Sequence, residues 1–594
     1  MNEKGHKSGG ILMKKYRQYL LPSILTSLAL ALNEFVDCMV ISNLLGNDGL
    51  AVASLACPVI LFIAACYVIL GSGGSTFYAV LLGKWESERA GKVFRMSMIM
   101  AVGTGLLLLA FGWIFGTPLV ALFCPDEVLR PAFSTYFHTL LYTAPILTAM
   151  LTFVWFLPPS GAPVVATVVN IVSNCLNLVM DFVYIRIFGM GVEGAAWATA
   201  TGYLIGMVVM VVMIRVNKVR IANEKVGFKD LSMALTILAL GSSTSALQIC
   251  FAIKYAFSNG LAASYGGRMG VVAFSLCLQT FSLASVFLLG VADTAQPLFA
   301  MLRGQKDYVG EGVVLRRSLS LQLIFSVVLV ILLECFPQAV TAAYKVQDPE
   351  TLELALKGIR IFSLSYLFRS VCIQFMRFFQ VEGKTRYALF ISFFDGLAVM
   401  PIILVLCGIM GIDGLFLAYP VASLILLIVI LAINAVTYKK NPEQYTGVLL
   451  LQKDLGSVAS LNLTIADKPE EISAASEKMI DFARENKVPG RQAFRLGLVC
   501  EEMAVYTQNH RKEPGEIDLL LRILKEELIL NFRSIGAPFN PMQGTEEDLP
   551  ENIILLQKTA SQISYDYIMG MNSTRIVVAI EEEKPRRKKQ AAEE

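Results

Sequence analysis

The sequence predicts an all-α polytopic membrane protein with twelve transmembrane helices in two six-helix lobes, followed by a small cytoplasmic α/β domain. Of its 594 residues, 55% are hydrophobic and 16% are charged, and the mean hydropathy is +0.60. Apolar runs reach the length of about 20 residues that an α-helix needs to cross a hydrocarbon core. This composition excludes an ordinary soluble protein of the same length.

Twelve hydrophobic runs justify the count of helices. They begin near residues 19, 50, 94, 133, 163, 194, 231, 271, 318, 359, 386 and 412. The amino-terminal segment and the even-numbered loops are rich in lysine and arginine, whereas the odd-numbered loops hold few. By the positive-inside rule, both termini are cytoplasmic. We therefore expect a multi-pass protein of the plasma (inner) membrane, whose first span is retained because no small-residue cleavage site follows it.

An internal duplication justifies the two lobes. A shift of 221 residues pairs glycines and loop arginines of the two halves: Gly46 with Gly267, Gly83 with Gly304, and Arg95 with Arg316. The segment GMGVEG (189–194) recurs as GIMGIDG (408–414). Because each repeat holds an even number of spans, both halves have the same orientation. We expect an axis along the membrane normal and a cavity between two bundles.

The composition changes after residue 438, which sets the predicted boundaries. We expect a cytoplasmic segment at 1–18, the first lobe at 19–220, the second at 221–438, a linker at 439–455, the α/β domain at 456–581 and a disordered tail at 582–594. In the α/β domain, LNLTIAD (461–467) alternates like a strand. Two helical stretches follow at 469–487 and 491–510, and the stretches 516–534 and 563–581 are typical of two strands around a turn.

Polar side chains inside the first and fifth spans are the leading functional candidates. Asp37 follows Asn33 by four residues and Glu34 by three, so all three point to one side of a helix. The fifth span carries a stripe with the same spacing: Asn170, Asn174, Asn177 and Asp181. An intramembrane charge costs at least ~2.5 to 3.5 kcal/mol at mid-helix on insertion scales, which suggests function by default.

Two carboxylates backed by amides can hold a proton or a sodium ion in a low-dielectric cavity, since burial and a like charge favour the protonated form. The candidate cation-coupling residues are Asp37, Asp181, Glu34, Asn33 and Asn177. Two alternatives remain open: Asn170 and Asn174 could only bond helix to helix, and Asp181 could simply reach an interface.

The second half contains basic residues within its spans. Lys254, Arg369 and Arg377 are expected to pair internally with Asp293, Asp395 or Glu382, although the alternative is that they face a substrate. Candidate residues of the substrate cavity are Asn174, Lys254, Asn259 and Asp395.

Several classes of site are not expected. The eleven cysteines are scattered singly without metal-ligand spacing, and the net charge of +3 is too small to indicate a nucleic-acid partner. We predict no catalytic residues, no metal and no cofactor other than the coupling ion.

Five segments resemble the multidrug and toxic compound extrusion (MATE) family. They are Leu21-Pro22, then 35–59 (FVDCMVISNLLGNDGLAVASLACPV), 71–90, 177–199 and 290–308, within a resemblance that covers about 15 to 438. The resemblance implies two lobes around a V-shaped cavity and export of amphipathic, often cationic compounds driven by proton or sodium influx. Asp37 corresponds to the first-lobe aspartate of that family, and Asp181 to the aspartate after the span-five asparagine.

The α/β domain resembles the GHKL ATPase fold in its anti-sigma serine-kinase form, across 496–510 and 532–542. Four residues after Glu502, Tyr506 stands where that family has a magnesium-binding asparagine, and Ser534 replaces the adenine-reading aspartate before Gly536. No glycine lies at 549–557, where the phosphate loop should fall. We therefore expect a degenerate nucleotide site, in a regulatory module that could bind a cytoplasmic protein partner.

The leading interpretation is a secondary antiporter for small organic compounds, and not an enzyme. A lipid-linked oligosaccharide flippase is the first alternative, because basic residues in the second half could face such a cargo. The second alternative is a membrane-tethered signalling regulator that acts through its carboxyl-terminal domain.

Overall fold

A computed structural model describes residues 10–124, 127–344, 348–466, 468–510, 515–543, 551, 553–554, 557 and 560–580. The side chains of residues 34–39, 42, 46–48, 50, 54 and 343 lie outside this description. The chain forms two compact units. The helical unit comprises 16–306 and 311–451, and the α/β unit comprises the chain up to Lys15, the loop 307–310 and the chain from Gln452 onward.

Five helices precede the midpoint of the chain. They are α1 (Gly10–Gly83), α2 (Ser87–Phe123), α3 (Arg130–Val154), α4 (Pro163–Asp181) and α5 (Gly191–Val216), with a π-helical turn at Phe182–Ile187 between the last two. Both α3 and α4 have a proline in their first turn, which marks where each helix begins. A backbone N–H at that position has no partner within the helix, so proline, which lacks this group, is favoured there.

Eight more helices follow α5 among the described residues of the helical unit. They are α6 (Ser232–Gln305), α7 (Tyr308–Cys335), α8 (Pro337–Ala343), α9 (Pro349–Ser363), α10 (Ser365–Val381), α11 (Thr385–Phe393), α12 (Val399–Met410) and α13 (Ile412–Lys440). A 3₁₀ turn at Phe228–Leu231 precedes α6, and a π-helical turn at Phe394–Ala398 joins α11 to α12.

In the described part of the chain, ten helical segments are long and apolar enough to cross a membrane, against the twelve predicted. One of them, α6, reverses direction inside its length. Gly267 has φ 55° and ψ −145°, and a Cβ on Gly270 would lie 2.5 Å from the carbonyl oxygen of Ala262. In a straight helix these residues would be about 12 Å apart.

The other long helix, α1, has the same 74 residues as α6. A straight helix of that length would extend about 110 Å, several times a hydrocarbon core of about 30 Å. The length of α1 is therefore that of more than one span, and the total of twelve stays a prediction.

The α/β unit contains a five-stranded antiparallel sheet in the order β3-β4-β5-β7-β6. The strands are β3 (Ala459–Ala466), β4 (Glu516–Ile523), β5 (Glu527–Ile535), β6 (Gln562–Ile568) and β7 (Met571–Ala579), preceded by a short ribbon, β1 (Tyr445–Thr446) and β2 (Leu451–Gln452). Helices α14 (Pro469–Glu485) and α15 (Gly490–Asn509) contribute to a common apolar core with the sheet. The predicted strands and helices of this domain are confirmed.

Candidate functional site

One face of α4 carries the polar stripe predicted from the sequence. Asn170, Asn174, Asn177 and Asp181 are all buried, with exposed fractions of 3%, 9%, 4% and 0%. The spacing of four, three and four residues places them on one side of the helix. The π-helical turn begins directly after Asp181, so the carboxylate lies where the regular helix ends.

The stripe packs between two other helices. Asn174 donates its Nδ2 hydrogen bond to the carbonyl of Ala29 in α1 over 3.0 Å, and Asn177 donates to Thr199 Oγ1 in α5 over 3.1 Å. Asn174 therefore bonds helix to helix, which was one of the alternatives open from the sequence, and Asn177 does the same. Asp181 lies at the carboxyl-terminal end of this bonded face.

The contacts between α1 and α4 also give the register of the two helices. Thr167 donates to the carbonyl of Pro22 over 2.8 Å, and Asn174, seven residues later, bonds Ala29, seven residues after Pro22. The two helices thus run in the same direction. Asn33 is half-buried, whereas the side chains of Glu34 and Asp37 lie outside the described residues.

The second lobe contains a buried charge cluster of Lys254, Arg369 and Asp395. Arg369 donates from Nε to Oδ1 of Asp395 over 2.9 Å and from Nη2 to Oδ2 over 2.9 Å. Lys254 donates to the backbone oxygen of Asp395 over 2.7 Å, and its Nζ lies 3.4 Å from Oδ2. The exposed fraction of the side chain is 3% for Lys254, 9% for Arg369 and 8% for Asp395.

Aromatic rings complete the environment of this cluster. The guanidinium of Arg369 lies 4.4 Å from the ring centre of Phe281, and Lys254 Nζ lies 5.4 Å from that of Tyr419. Such rings attract a cation, so they offset part of its desolvation. Two cations share one carboxylate, and the cluster has a formal charge of +1. Asn259, on the same helix as Lys254, is half-buried, and its Oδ1 has no hydrogen-bond partner among the described residues.

A second ion pair joins Arg377 to Asp293, with Nη2 2.7 Å from Oδ1. Arg377 also donates to Thr244 Oγ1 over 2.7 Å. Glu382 has a different partner, Arg303, at 3.2 Å. The expectation that Lys254, Arg369 and Arg377 pair within the protein is confirmed.

The polar network around Arg377 extends to the first half of the chain. Ser72 of α1 bonds Thr244 over 3.1 Å and accepts from Gln380 Nε2 over 2.9 Å. Gln296 donates to Thr76 over 2.8 Å. Buried hydroxyls and amides thus connect α1 to α6 and α10, so the network links the two lobes.

Glycines bring the backbones of α1 and α6 together beside this network. A Cβ on Gly73 would overlap the carbonyl oxygen of Ile237, and one on Gly241 would overlap that of Ile69. Further along, Gly83 and Gly304 lie against each other, with a Cβ on Gly304 only 2.8 Å from the Cα of Gly83. These are the two glycines that the 221-residue shift pairs. The duplicated position therefore contacts its own counterpart.

Tyr506, a residue of the predicted nucleotide site, lies in a cluster of aromatic rings. The ring of Tyr506 lies 4.3 Å from that of His510 and 5.3 Å from that of Phe539, and His510 stacks on Phe539 at 4.3 Å. Ser534 and Asn572 line the cavity that remains, whose volume is about 10 Å³. This is about the volume that a single water needs.

The other residues of that predicted site have ordinary roles among the described residues. Gly536 accepts a hydrogen bond from Tyr567 Oη over 3.0 Å, and Glu502 is half-buried on α15. The sequence predicts that the glycine-rich phosphate loop is absent from 549–557. Most of that segment lies outside the described residues.

Long apolar helices with ion pairs buried among them are typical of a multi-pass membrane transporter. The chain belongs to the MatE family, whose profile matches residues 22–183 and 244–405. The two matches start 222 residues apart (244 − 22), which agrees with the duplication found in the sequence.

As a member of a transporter family the chain is not an enzyme, and its curated relatives are export proteins. Multidrug export protein MepA of Staphylococcus haemolyticus (strain JCSC1435) is 20% identical over 409 residues, which cover 68% of this chain and 89% of the relative. MepA of Staphylococcus aureus (strain MRSA252) is also 20% identical and covers the same shares.

Two solved structures show the same fold at low identity. An outward-facing multidrug resistance MATE family transporter of the MOP superfamily has a TM-score of 0.66 at 20% identity, covering 72% of this chain and 97% of its own. A MOP superfamily transporter from Pyrococcus furiosus has a TM-score of 0.65 at 20% identity, with the same coverage.

Proposed function

We propose that this protein is a secondary active antiporter that exports small organic compounds, cationic or amphipathic in character, in exchange for protons or sodium ions. The observation that carries the proposal is Asp181, a fully buried carboxylate at the end of an amide-lined helix face in a MatE chain. An ionisable group inside a membrane-spanning helix is costly and marks an ion pathway by default.

The register between α1 and α4 brings residue 37 to the level of Asp181 along the two helices. Pro22 and Ala29 of α1 bond residues 167 and 174 of α4, at a constant difference of 145. The same difference takes Asp181 to position 36, next to Asp37. We propose that these two carboxylates form one coupling site, with Asn33, Glu34 and Asn177 around it.

The second lobe contributes differently. Lys254, Arg369 and Asp395 bond one another, so we assign them the role of holding α6, α10 and the α11–α12 junction together, and Asn259 remains the better candidate for the cavity wall. Because the basic residues are paired with acids, they offer little free positive charge to a lipid-linked anionic cargo. The flippase interpretation is accordingly the weaker one.

We place the protein in the cell membrane with both termini in the cytoplasm, following the loop charges. The α/β unit is proposed to be a GHKL-like module that has lost nucleotide chemistry. A signalling role without transport is disfavoured by the retained acidic groups of the first lobe.

A reconstituted system tests the coupling site. Purified protein in liposomes receives an imposed proton or sodium gradient, and uptake of a fluorescent organic cation is followed for the parent, Asp181→Asn and Asp37→Asn. We expect both variants to lose at least tenfold in gradient-driven uptake, because an amide cannot carry the counter-ion.

Glu193→Gln is the matched control, since Glu193 is a carboxylate at the start of α5 that accepts a hydrogen bond from Trp197 in the same helix. It should transport like the parent. Equal uptake by the parent and Asp181→Asn would remove Asp181 from the mechanism, and no gradient-dependent uptake by the parent for any of a set of organic cations would contradict the proposed antiport.

A further inference from the structure

The α/β unit includes a short loop from the middle of the chain. Asp307 lies between the end of α6 at Gln305 and the start of α7 at Tyr308, yet it belongs to this unit. Its Oδ2 is 2.6 Å from Arg533 Nη2 in β5, a residue 226 positions away in sequence. Asn462 Nδ2 of β3 lies 3.3 Å from its Oδ1. Asp307 and Arg533 are each 1% exposed.

This contact is on the face of the sheet that α14 and α15 leave uncovered. Along β4, Ile517, Leu519 and Leu521 face the apolar core with the helices, so Asp518 faces the other way, directly opposite Arg533 in β5. In a two-layer α/β unit that second face normally meets water. Here Asp518 and Asn531 are only 1% and 2% exposed. A buried polar face needs a polar partner, because unpaired polar groups are costly away from water.

Asp307 has two structural tasks at once. Its Oδ1 accepts the backbone N–H of Gly310 over 2.8 Å, which is the capping contact of a helix amino terminus. Its Oδ2 binds Arg533. The same carboxylate therefore defines the first turn of α7 and carries the ion pair to β5.

A second segment of the α/β unit comes from the beginning of the chain. Lys15 donates from Nζ to the backbone oxygen of Gly570, in the β6–β7 turn, over 3.0 Å, and is 6% exposed. Gly10 lies so close to Glu516 that a Cβ there would be 2.7 Å from the carboxylate. The sheet thus holds two segments that precede or join membrane helices.

We propose that the ligand of this sheet face is the chain's own loop 307–310, and that the Arg533–Asp307 pair restrains the junction of α6 and α7 and so sets the rate of the transport cycle. The surface for which the sequence suggested a cytoplasmic protein partner is then satisfied within the molecule. The effect on transport rests on the antiport function proposed above, whereas the binding of the loop does not.

Amide hydrogen exchange on the full-length protein tests the loop contact directly. We expect Arg533→Met to increase exchange at residues 308–312 at least tenfold. Asp307→Asn should do the same through loss of the charge, since asparagine still caps a helix. The double variant should be no worse than Arg533→Met alone, because both substitutions remove one interaction.

Arg522→Met is the matched control. Arg522 is also a buried arginine on this face of β4, but it pairs with Asp454, at 2.5 Å and 2.7 Å, and not with the loop. It should leave exchange at 308–312 unchanged even if it weakens the unit. Unchanged exchange at 308–312 in Arg533→Met, or an equal increase in Arg522→Met, would overturn the proposed contact.

Turnover in proteoliposomes supplies the second measurement. Asp307→Asn is expected to change the uptake rate at least threefold, with Arg522→Met at the parent rate. If Asp307→Asn increases hydrogen exchange at residues 308–312 but leaves the uptake rate unchanged, the proposed effect on the transport cycle is overturned. If the parent does not transport, the antiport proposal fails, while the exchange result still decides whether the loop is bound.

Discussion

Asp395 is predicted to be the most costly single residue to neutralise in the second lobe. Replacing it by asparagine leaves Lys254 and Arg369 without a counter-charge. Both side chains are buried, with exposed fractions of 3% and 9%. Removing one partner of a buried pair typically costs about 3–5 kcal/mol. That corresponds to a change of roughly two to three and a half orders of magnitude in the unfolding equilibrium.

Lys254→Met should behave very differently. It leaves the neutral pair in which Arg369 reaches both carboxylate oxygens of Asp395 at 2.9 Å. The lost hydrogen bond to the Asp395 carbonyl contributes about 1 kcal/mol, and removal of a buried charge offsets part of it. We expect a net cost within about 1 kcal/mol, and a smaller effect of Asp395→Asn when Lys254→Met is already present.

Thermal unfolding in detergent, followed with a thiol-reactive dye, measures this order. Buried cysteines report the transition, and two of them, Cys250 and Cys372, lie on the helices that hold the cluster. Asp413→Asn is the control, because Asp413 pairs with Lys357 at the surface and should shift the midpoint little. A midpoint for Lys254→Met as low as that for Asp395→Asn would refute the charge argument.

Three further predictions concern the lobe contact, the nucleotide site and pH. Gly83→Val should destabilise the close contact with Gly304 by about 1–3 kcal/mol and so separate the lobes, which longer distances between spin labels would show. Gly103→Val is the control and should not separate them, because a Cβ there meets nothing within 4 Å. Titration with ATP and magnesium should show no saturable binding, because Tyr506 and its neighbours fill the site. Burial and nearby Lys14 lower the pKa of Lys15 from 10.5 to about 8. Between pH 8 and 10.5 the unfolded state therefore binds more protons than the folded state, so the free energy of unfolding should rise with pH in that range. Lys15→Met should remove that rise.

Each of these has a contradicting result. Equal lobe separation in Gly83→Val and Gly103→Val would show that the glycine contact does not hold the lobes. Micromolar binding of ATP would mean that the aromatic rings move aside. An identical pH dependence of unfolding in the parent and Lys15→Met would place the titration elsewhere.

The regular elements were predictable because their signals are local. The spacing of Asn170, Asn174, Asn177 and Asp181 already indicates one helix face, and the alternation in 461–467 already indicates a strand. The duplication was visible in paired glycines. The pairing of Gly83 with Gly304 across the lobes needed the structure, since a repeat says which residues correspond and not which residues touch.

The ion pairs could be predicted as a class but not one by one. The signs of the charges do not say which residues pair. Asp395 forms ion pairs with Lys254 and Arg369, which lie 141 and 26 residues away, whereas Asp293 pairs with Arg377. Asp307 gave no signal of its own among the polar residues of its loop.

The glycine contacts between α1 and α6 limit which movements the lobes can make. Gly73 and Gly83 are ten residues apart, about 15 Å along a helix, and at both places backbone meets backbone. Sliding one helix lengthwise would bring side chains such as those of Val80 or Ile237 into gaps too narrow for them. The close backbone contacts at both glycines therefore oppose a lengthwise shift of one lobe along the other.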